Sequence, residues 1–174
     1  MFTRNWYSVL AKEISNGDVP YTVYTGTTYT GKPATRLNIY ENSSVYAYTP
    51  TMCQLRKKTT DYGGVVLGDG TTPPTIDDYK LSGNVISGFT YTKALTITND
   101  ESGVTLSCLF TITNTSDIGF TIGELGLLAS VASGSYTEAT KILLERTVLD
   151  TPVSIPAGGI GQVTYTIRIN HPTT

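Results

Sequence analysis

Histidine and cysteine are nearly missing from this sequence. One His (His171) and two Cys (Cys53 and Cys108) occur among 174 residues, which removes most of the side chains from which acid–base, nucleophilic and transition-metal centres are built. The chain is therefore read as a protein without a reaction, a cofactor or a metal. Charge is scarce as well: 15% of residues are Asp, Glu, Lys or Arg and the formal net charge is -2, so there is no basic field for nucleic acid or an anionic membrane. No stretch approaches the roughly 18 consecutive apolar residues of a membrane span. The opening Met1-Phe-Thr-Arg-Asn-Trp-Tyr also lacks the basic and then apolar regions of a signal peptide. The expectation is a chain made in a cytoplasm. There Cys53 and Cys108, flanked by Met52, Leu55, Leu106 and Leu109, are buried thiols rather than a disulfide, and the Asn-x-Ser/Thr triplets at Asn42 and Asn114 carry no meaning without secretion.

What is abundant points to strands. The 31 Thr, 12 Tyr and 17 Gly combine β-branched and aromatic residues with turn formers, and a chain of this length buries enough surface to fold on core packing alone. The one helix pattern is at the start, where Phe2, Trp6, Val9, Leu10 and Ile14 recur at helical spacing over residues 4 to 15 and Gly17 offers a stop. Helix content below about a fifth is expected, against about a third in an average domain.

After Pro20 the period changes to two. Tyr21 to Thr30, Thr35 to Tyr40 and Val45 to Tyr48 read as three short strands, with Met52 to Lys58 as a fourth. Residues 63 to 83 read as a Gly/Pro-rich loop, because Gly68-Asp-Gly-Thr-Thr-Pro-Pro-Thr cannot lie inside a sheet. Its stretch from Gly68 to Pro74 is expected at the surface, and Thr75-Ile-Asp-Asp predicts a single turn around Ile76 to Tyr79. Phe89 to Thr98 and Val104 to Thr113 form a hairpin pattern, and Phe120 to Ser130, Lys141 to Leu149 and Gly161 to Asn170 complete the strands. In the last, Val163, Tyr165, Ile167 and Ile169 share one face. The fold class is mostly β: an antiparallel β-sandwich or jelly-roll-like domain over residues 18 to 174, preceded by an amino-terminal helical segment over 1 to 17.

Several groups carry chemistry. Glu124 lies in Ile122-Gly-Glu-Leu-Gly-Leu-Leu128 and Arg146 in Ile142-Leu-Leu-Glu-Arg-Thr-Val148. Both stretches are too apolar to strand a charge, so the two are read as a structural pair. Asp69, Asp77 and Asp78 could offer oxygen atoms to a hard cation, but the EF-hand spacing is absent and turn chemistry accounts for Asp beside Gly. Arg56-Lys57-Lys58 reads as a solvated edge. The tyrosines Tyr21, Tyr24, Tyr29, Tyr40, Tyr46 and Tyr48 suit sheet packing, a subunit interface or ligand binding, carbohydrate included. Phe2, Trp6 and Leu10 form an apolar helix face that needs a cover, supplied by the chain itself or by a neighbouring subunit.

Three segments resemble small virion proteins of tailed bacteriophages. They are Val66-Leu-Gly-Asp-Gly-Thr-Thr-Pro-Pro-Thr-Ile-Asp-Asp-Tyr-Lys-Leu81, then Ile122 to Leu128, then Leu143-Leu-Glu-Arg-Thr-Val-Leu-Asp-Thr-Pro-Val-Ser-Ile-Pro-Ala-Gly-Gly159 with the strand after it. In that family a Gly/Pro loop ending in D-Y-x-L precedes an E-x-G-L strand, an L-L-x-R-T strand and a P-x-x-I-P-A-G turn, in this order. The resemblance implies a structural virion component present in many copies, capsid-associated or decorating the capsid, with a neck, connector, tail-tube or baseplate part as the alternative. It implies other virion proteins and further copies of the chain as partners, in a homo-oligomer or symmetric array. Assembly in a bacterial cytoplasm would leave the protein in the virion. A small-molecule ligand is not part of that expectation, and a carbohydrate-binding module using the tyrosines is the more distant alternative.

Overall fold

A computed structural model describes residues 1–31, 63–130 and 141–170. Among the described residues strand takes up 59% and helix 9%, which makes the fold mostly β, antiparallel and β-sandwich-like in class, with one short amino-terminal helix. Helix α1 (Arg4–Ser15) is followed by β1 (Val19–Thr22), β2 (Thr28–Gly31), β3 (Gly63–Gly68), β4 (Phe89–Asp100), β5 (Gly103–Asn114), β6 (Phe120–Ser130), β7 (Lys141–Ile155) and β8 (Ile160–Asn170). They pair as a β1-β2 hairpin, a β3-β6-β7 sheet and a β4-β5-β8 sheet. The contacts group into two compact units, Met1–Ile86 with Ile122–Pro152, and Ser87–Thr121 with Val153–Thr174. The boundary at residue 17 does not coincide with a unit boundary.

In the first unit, α1 is tied to β7 by backbone. Phe2 forms an antiparallel bridge with Glu145, the Thr3 N–H donates to Leu144 O at 3.0 Å, and the Arg146 N–H donates to Met1 O at 3.0 Å. The Thr3 hydroxyl, at the helix N-cap, donates to Leu143 O at 2.6 Å instead of capping its own helix. The helix ends at Asn16, which takes the left-handed conformation at φ 51° and donates its N–H to Lys12 O at 2.8 Å. The sequence placed that stop on Gly17, but Asn tolerates the same conformation one residue earlier. Buried on the helix are Asn5 and Val9. Leu10 is 38% and Ile14 79% exposed, so the apolar spacing found two residues that the fold leaves outside.

Two local readings change. The run from Tyr21 to Thr30 is not one strand: it breaks at Val23–Thr27, where Gly26 adopts φ 88° and the Val23 N–H donates to Thr27 O at 3.0 Å. The result is a hairpin in which Tyr21 pairs with Tyr29. Residues Gly63–Gly68, expected in the loop, form β3 and pair antiparallel with β6, setting Leu67 against Leu125. Glycines at both ends hide the strand, because Gly lowers strand propensity and has no side chain to show the period.

In the second unit, β5 is the middle strand. Phe110 sits between Lys93 and Val163 in the register, and Cys108 opposite Tyr165. Leu106, Cys108, Phe110, Ile112, Val163, Tyr165 and Ile167 are buried, whereas Ile169 is 51% exposed, so the expected four-residue stripe of β8 buries three. The β4 to β5 turn is two residues, Glu101 and Ser102, held by Asp100 Oδ1, which accepts the Ser102 and Gly103 N–H groups at 2.8 and 3.0 Å. The turn following β5 is organised by Asn114, which is 1% exposed. Its amide donates to Ile118 O, Ile155 O and Pro156 O at 2.8, 3.3 and 3.0 Å, and its Oδ1 accepts the Ser116 N–H at 2.9 Å.

Candidate functional site

The chemistry of the first unit concentrates at two places, a buried ionic network under the Gly/Pro loop and an open groove beside α1. Strands β6 and β7 are neighbours in one sheet, and this brings Glu124 and Arg146 together. Arg146 Nε donates to Glu124 Oε2 at 2.6 Å, with side-chain exposures of 2% and 0%.

A guanidinium buried this deeply needs more than one partner, since it carries five N–H donors. The loop supplies the others. Arg146 donates to Asp78 Oδ2 at 2.7 Å, to the Thr72 carbonyl at 2.6 Å and to the Ser82 hydroxyl at 2.6 Å. Glu124 accepts in turn the Gly83 N–H at 2.7 Å and the Ser82 hydroxyl at 3.2 Å. Thr75 holds Asp78 in place, donating from its N–H and its hydroxyl, each at 2.9 Å. Burial works to raise the Asp78 carboxyl, but the Thr75 N–H, Arg146 and the Thr75 hydroxyl outweigh it and hold that carboxyl below its ordinary value. Burial likewise opposes the Arg146 charge, and the bonds to Asp78 and Glu124 more than restore it.

The three loop carboxylates do not converge. Asp78 belongs to the network, Asp77 pairs with Arg4, and Asp69 accepts the Asn84 N–H at 2.6 Å and its side-chain amide at 3.1 Å, closing the root of the loop. Those Asn84 bonds depress the Asp69 carboxyl. Among the described residues no group of three His, Cys, Asp or Glu side chains is placed to hold a metal ion. The loop from Asp69 to Pro73 is largely exposed, while Gly68 is buried as the last residue of β3. Glycine is required here by close approach: a β-carbon on Gly70 would collide with Glu124 Oε1 and Ser82 Oγ, and one on Gly83 with Asp69 Oδ1 and the Gly70 N.

The groove lies between α1 and the β1-β2 hairpin and has a volume of about 580 Å³. Asn5 fixes its geometry, accepting the Thr22 N–H at 2.7 Å and donating to Thr22 O at 2.8 Å and Leu143 O at 3.2 Å. Tyr21 lines it and stacks on Tyr29 with centroids 6.0 Å apart. Of the other expected interface residues, Phe2 and Trp6 are half-buried and stack on each other at 4.0 Å. Tyr24 accepts the Leu81 N–H on its hydroxyl at 3.1 Å, which makes it a structural contact. Tyr40, Tyr46, Tyr48, Cys53, Arg56, Lys57 and Lys58 lie outside the described residues, as does His171.

Asn5 and Ser82 do structural work that sequence reasoning did not single out, and Asp78 and Asn114, noted there for other reasons, do structural work that it did not foresee. Each acts through bonds to residues far along the chain or to backbone carbonyls, and such bonds leave no periodic signal in sequence. No family model, curated protein or solved structure matches this chain.

Proposed function

We propose that this chain is a structural component of a tailed-phage virion, capsid-associated or decorating the capsid in many copies. The observation that carries the reading is where the phage-like segments meet. The Gly/Pro loop, the E-L-G-L strand and the L-L-E-R-T strand lie apart in sequence, yet Thr72 and Asp78 from the first, Ser82 just past its phage-like segment, Glu124 from the second and Arg146 from the third form one hydrogen-bonded cluster. The charged residues of the shared pattern are thus spent on fixing a loop against a sheet. That is the use expected where a surface feature is presented to neighbours, because a binding loop gains from being ordered before contact. The I-P-A-G turn has its own anchor, with Asn114 holding the carbonyls of Ile155 and Pro156.

The test is to purify particles by density gradient from the cells in which this chain is naturally made, and to label them with gold-coupled antibody against it. Regular labelling of heads supports the reading. Labelling confined to the neck or tail transfers the chain to that station, and a chain that never sediments with particles overturns the proposal.

A further inference from the structure

The groove beside α1 has no part in the network that locks the loop, and its lining has the two-sided character of a particular ligand class. Its floor is apolar, from Val19, Ala11 and Ile76, and Tyr21 adds an aromatic ring. Its rim is polar and has hydrogen-bonding capacity to spare. Among the described residues the Arg4 side chain bonds Asp77 through Nε alone, leaving its terminal amino groups open. The Ser8 hydroxyl, also on the rim, makes no hydrogen bond to the described residues. Hydrogen-bonding groups therefore sit beside an apolar floor, and the one charge that lines the groove is already neutralised by its partner.

We propose that this groove binds a neutral pyranose saccharide, with the Tyr21 ring facing the sugar's C–H surface and the Arg4 amino groups and Ser8 taking its hydroxyls. The volume falls within the roughly 300–1,000 Å³ typical of small-ligand clefts. Aromatic side chains suit a ligand with one apolar and one wet side, and guanidinium donors beside a hydroxyl that both donates and accepts match adjacent sugar hydroxyls, which donate and accept together. An anionic ligand gains little here, because Asp77 already faces the guanidinium. An aliphatic occupant would leave the Arg4 amino groups and Ser8 without partners under its cover. This inference does not depend on the virion role.

The experiment is saturation-transfer NMR on the full chain with a panel of methyl glycosides of glucose, galactose, mannose, rhamnose and N-acetylglucosamine. At least one sugar is expected to receive saturation on its ring protons. Tyr21→Ala should reduce that transfer tenfold or more. Ala11→Leu, at an exposed helix position that lines the groove, should do the same while the melting temperature stays within about 2 °C of the parent. No transfer to any of the five sugars overturns the proposal, as does transfer that persists in both variants. Sedimentation shows whether the groove is instead an interface between copies: self-association that Ala11→Leu abolishes, without sugar binding, also overturns it.

Discussion

Replacing Arg146 by Ala isolates the energetic role of the network. The substitution removes four hydrogen bonds, to Glu124, Asp78, Thr72 and Ser82, and leaves the Glu124 carboxylate, with 0% exposure, without its counter-charge. Breaking a buried pair from one side costs about 3–5 kcal/mol, because the surviving charge stays desolvated. In a chain of this size about 1 kcal/mol moves the melting temperature by ~2–4 °C, so a fall of about 10 °C is expected in thermal melts followed by circular dichroism at pH 7. Arg146→Lys keeps the charge but offers a point donor in place of a planar fork, and it should lie between parent and Ala. The double variant Glu124→Leu with Arg146→Met removes both charges and should recover most of the loss. The loop would still lack its Glu124 and Arg146 anchors, so limited proteolysis between Asp69 and Gly83 should become faster in the double variant even where its melting temperature is restored. An Arg146→Ala protein that melts within about 2 °C of the parent, with a loop equally resistant to protease, would refute the reasoning.

Acid should weaken the fold in a defined window. The Asp78 carboxyl is held below its ordinary value, so its contribution is fully present above the ordinary carboxyl range and is lost as pH falls through the lower folded value. Melting temperature should be flat from about pH 8 to 5 and should drop below about pH 4, with a shallower drop in Asp78→Asn. Gly70→Ala should destabilise by about 1–3 kcal/mol, the range for forcing atoms into a filled site, since its β-carbon meets Glu124 and Ser82; an unchanged urea midpoint would show that the loop root is looser than described. Asn114→Ala removes the partner of three carbonyls, and a loss of about 2–3 kcal/mol in denaturant unfolding is expected from the groups left unsatisfied. A loss under about 0.5 kcal/mol would mean that water replaces the amide.

Legibility in this sequence followed whether a residue's role was local. Strands β4, β5 and β8 could be read because alternation repeats along each of them, and Leu106, Cys108, Phe110 and Ile112 sit inside as that period requires. Glu124 could be picked out because a charge inside a long apolar strand is anomalous by itself, and Arg146 was the matching anomaly in another strand. Asp78 gave no such signal. It stands in a polar turn where Asp is ordinary, and only the fold carries that turn to the guanidinium. β3 was hidden by its own glycines, and the break within Tyr21–Thr30 by the uniformity of a Thr/Tyr run in which one Gly is the only mark of a turn.

The same distinction bears on what the loop is for. A loop rich in Gly and Pro with three acids reads from composition as turn chemistry, with a cation site as the lesser alternative. The structure separates these by assigning each acid a different partner: Asn84 at the root, Arg4 on the helix, Arg146 in the core. Spreading three carboxylates over three anchors fixes three points of one loop, whereas gathering them would build a single site and leave the rest of the loop free. Because Arg146 also grips the Thr72 carbonyl, the exposed crown at Thr71–Pro73 is held by its backbone. Its side chains are therefore free to vary without loosening it, and that is the arrangement a contact surface needs if its shape must persist while its chemistry is tuned to a neighbour.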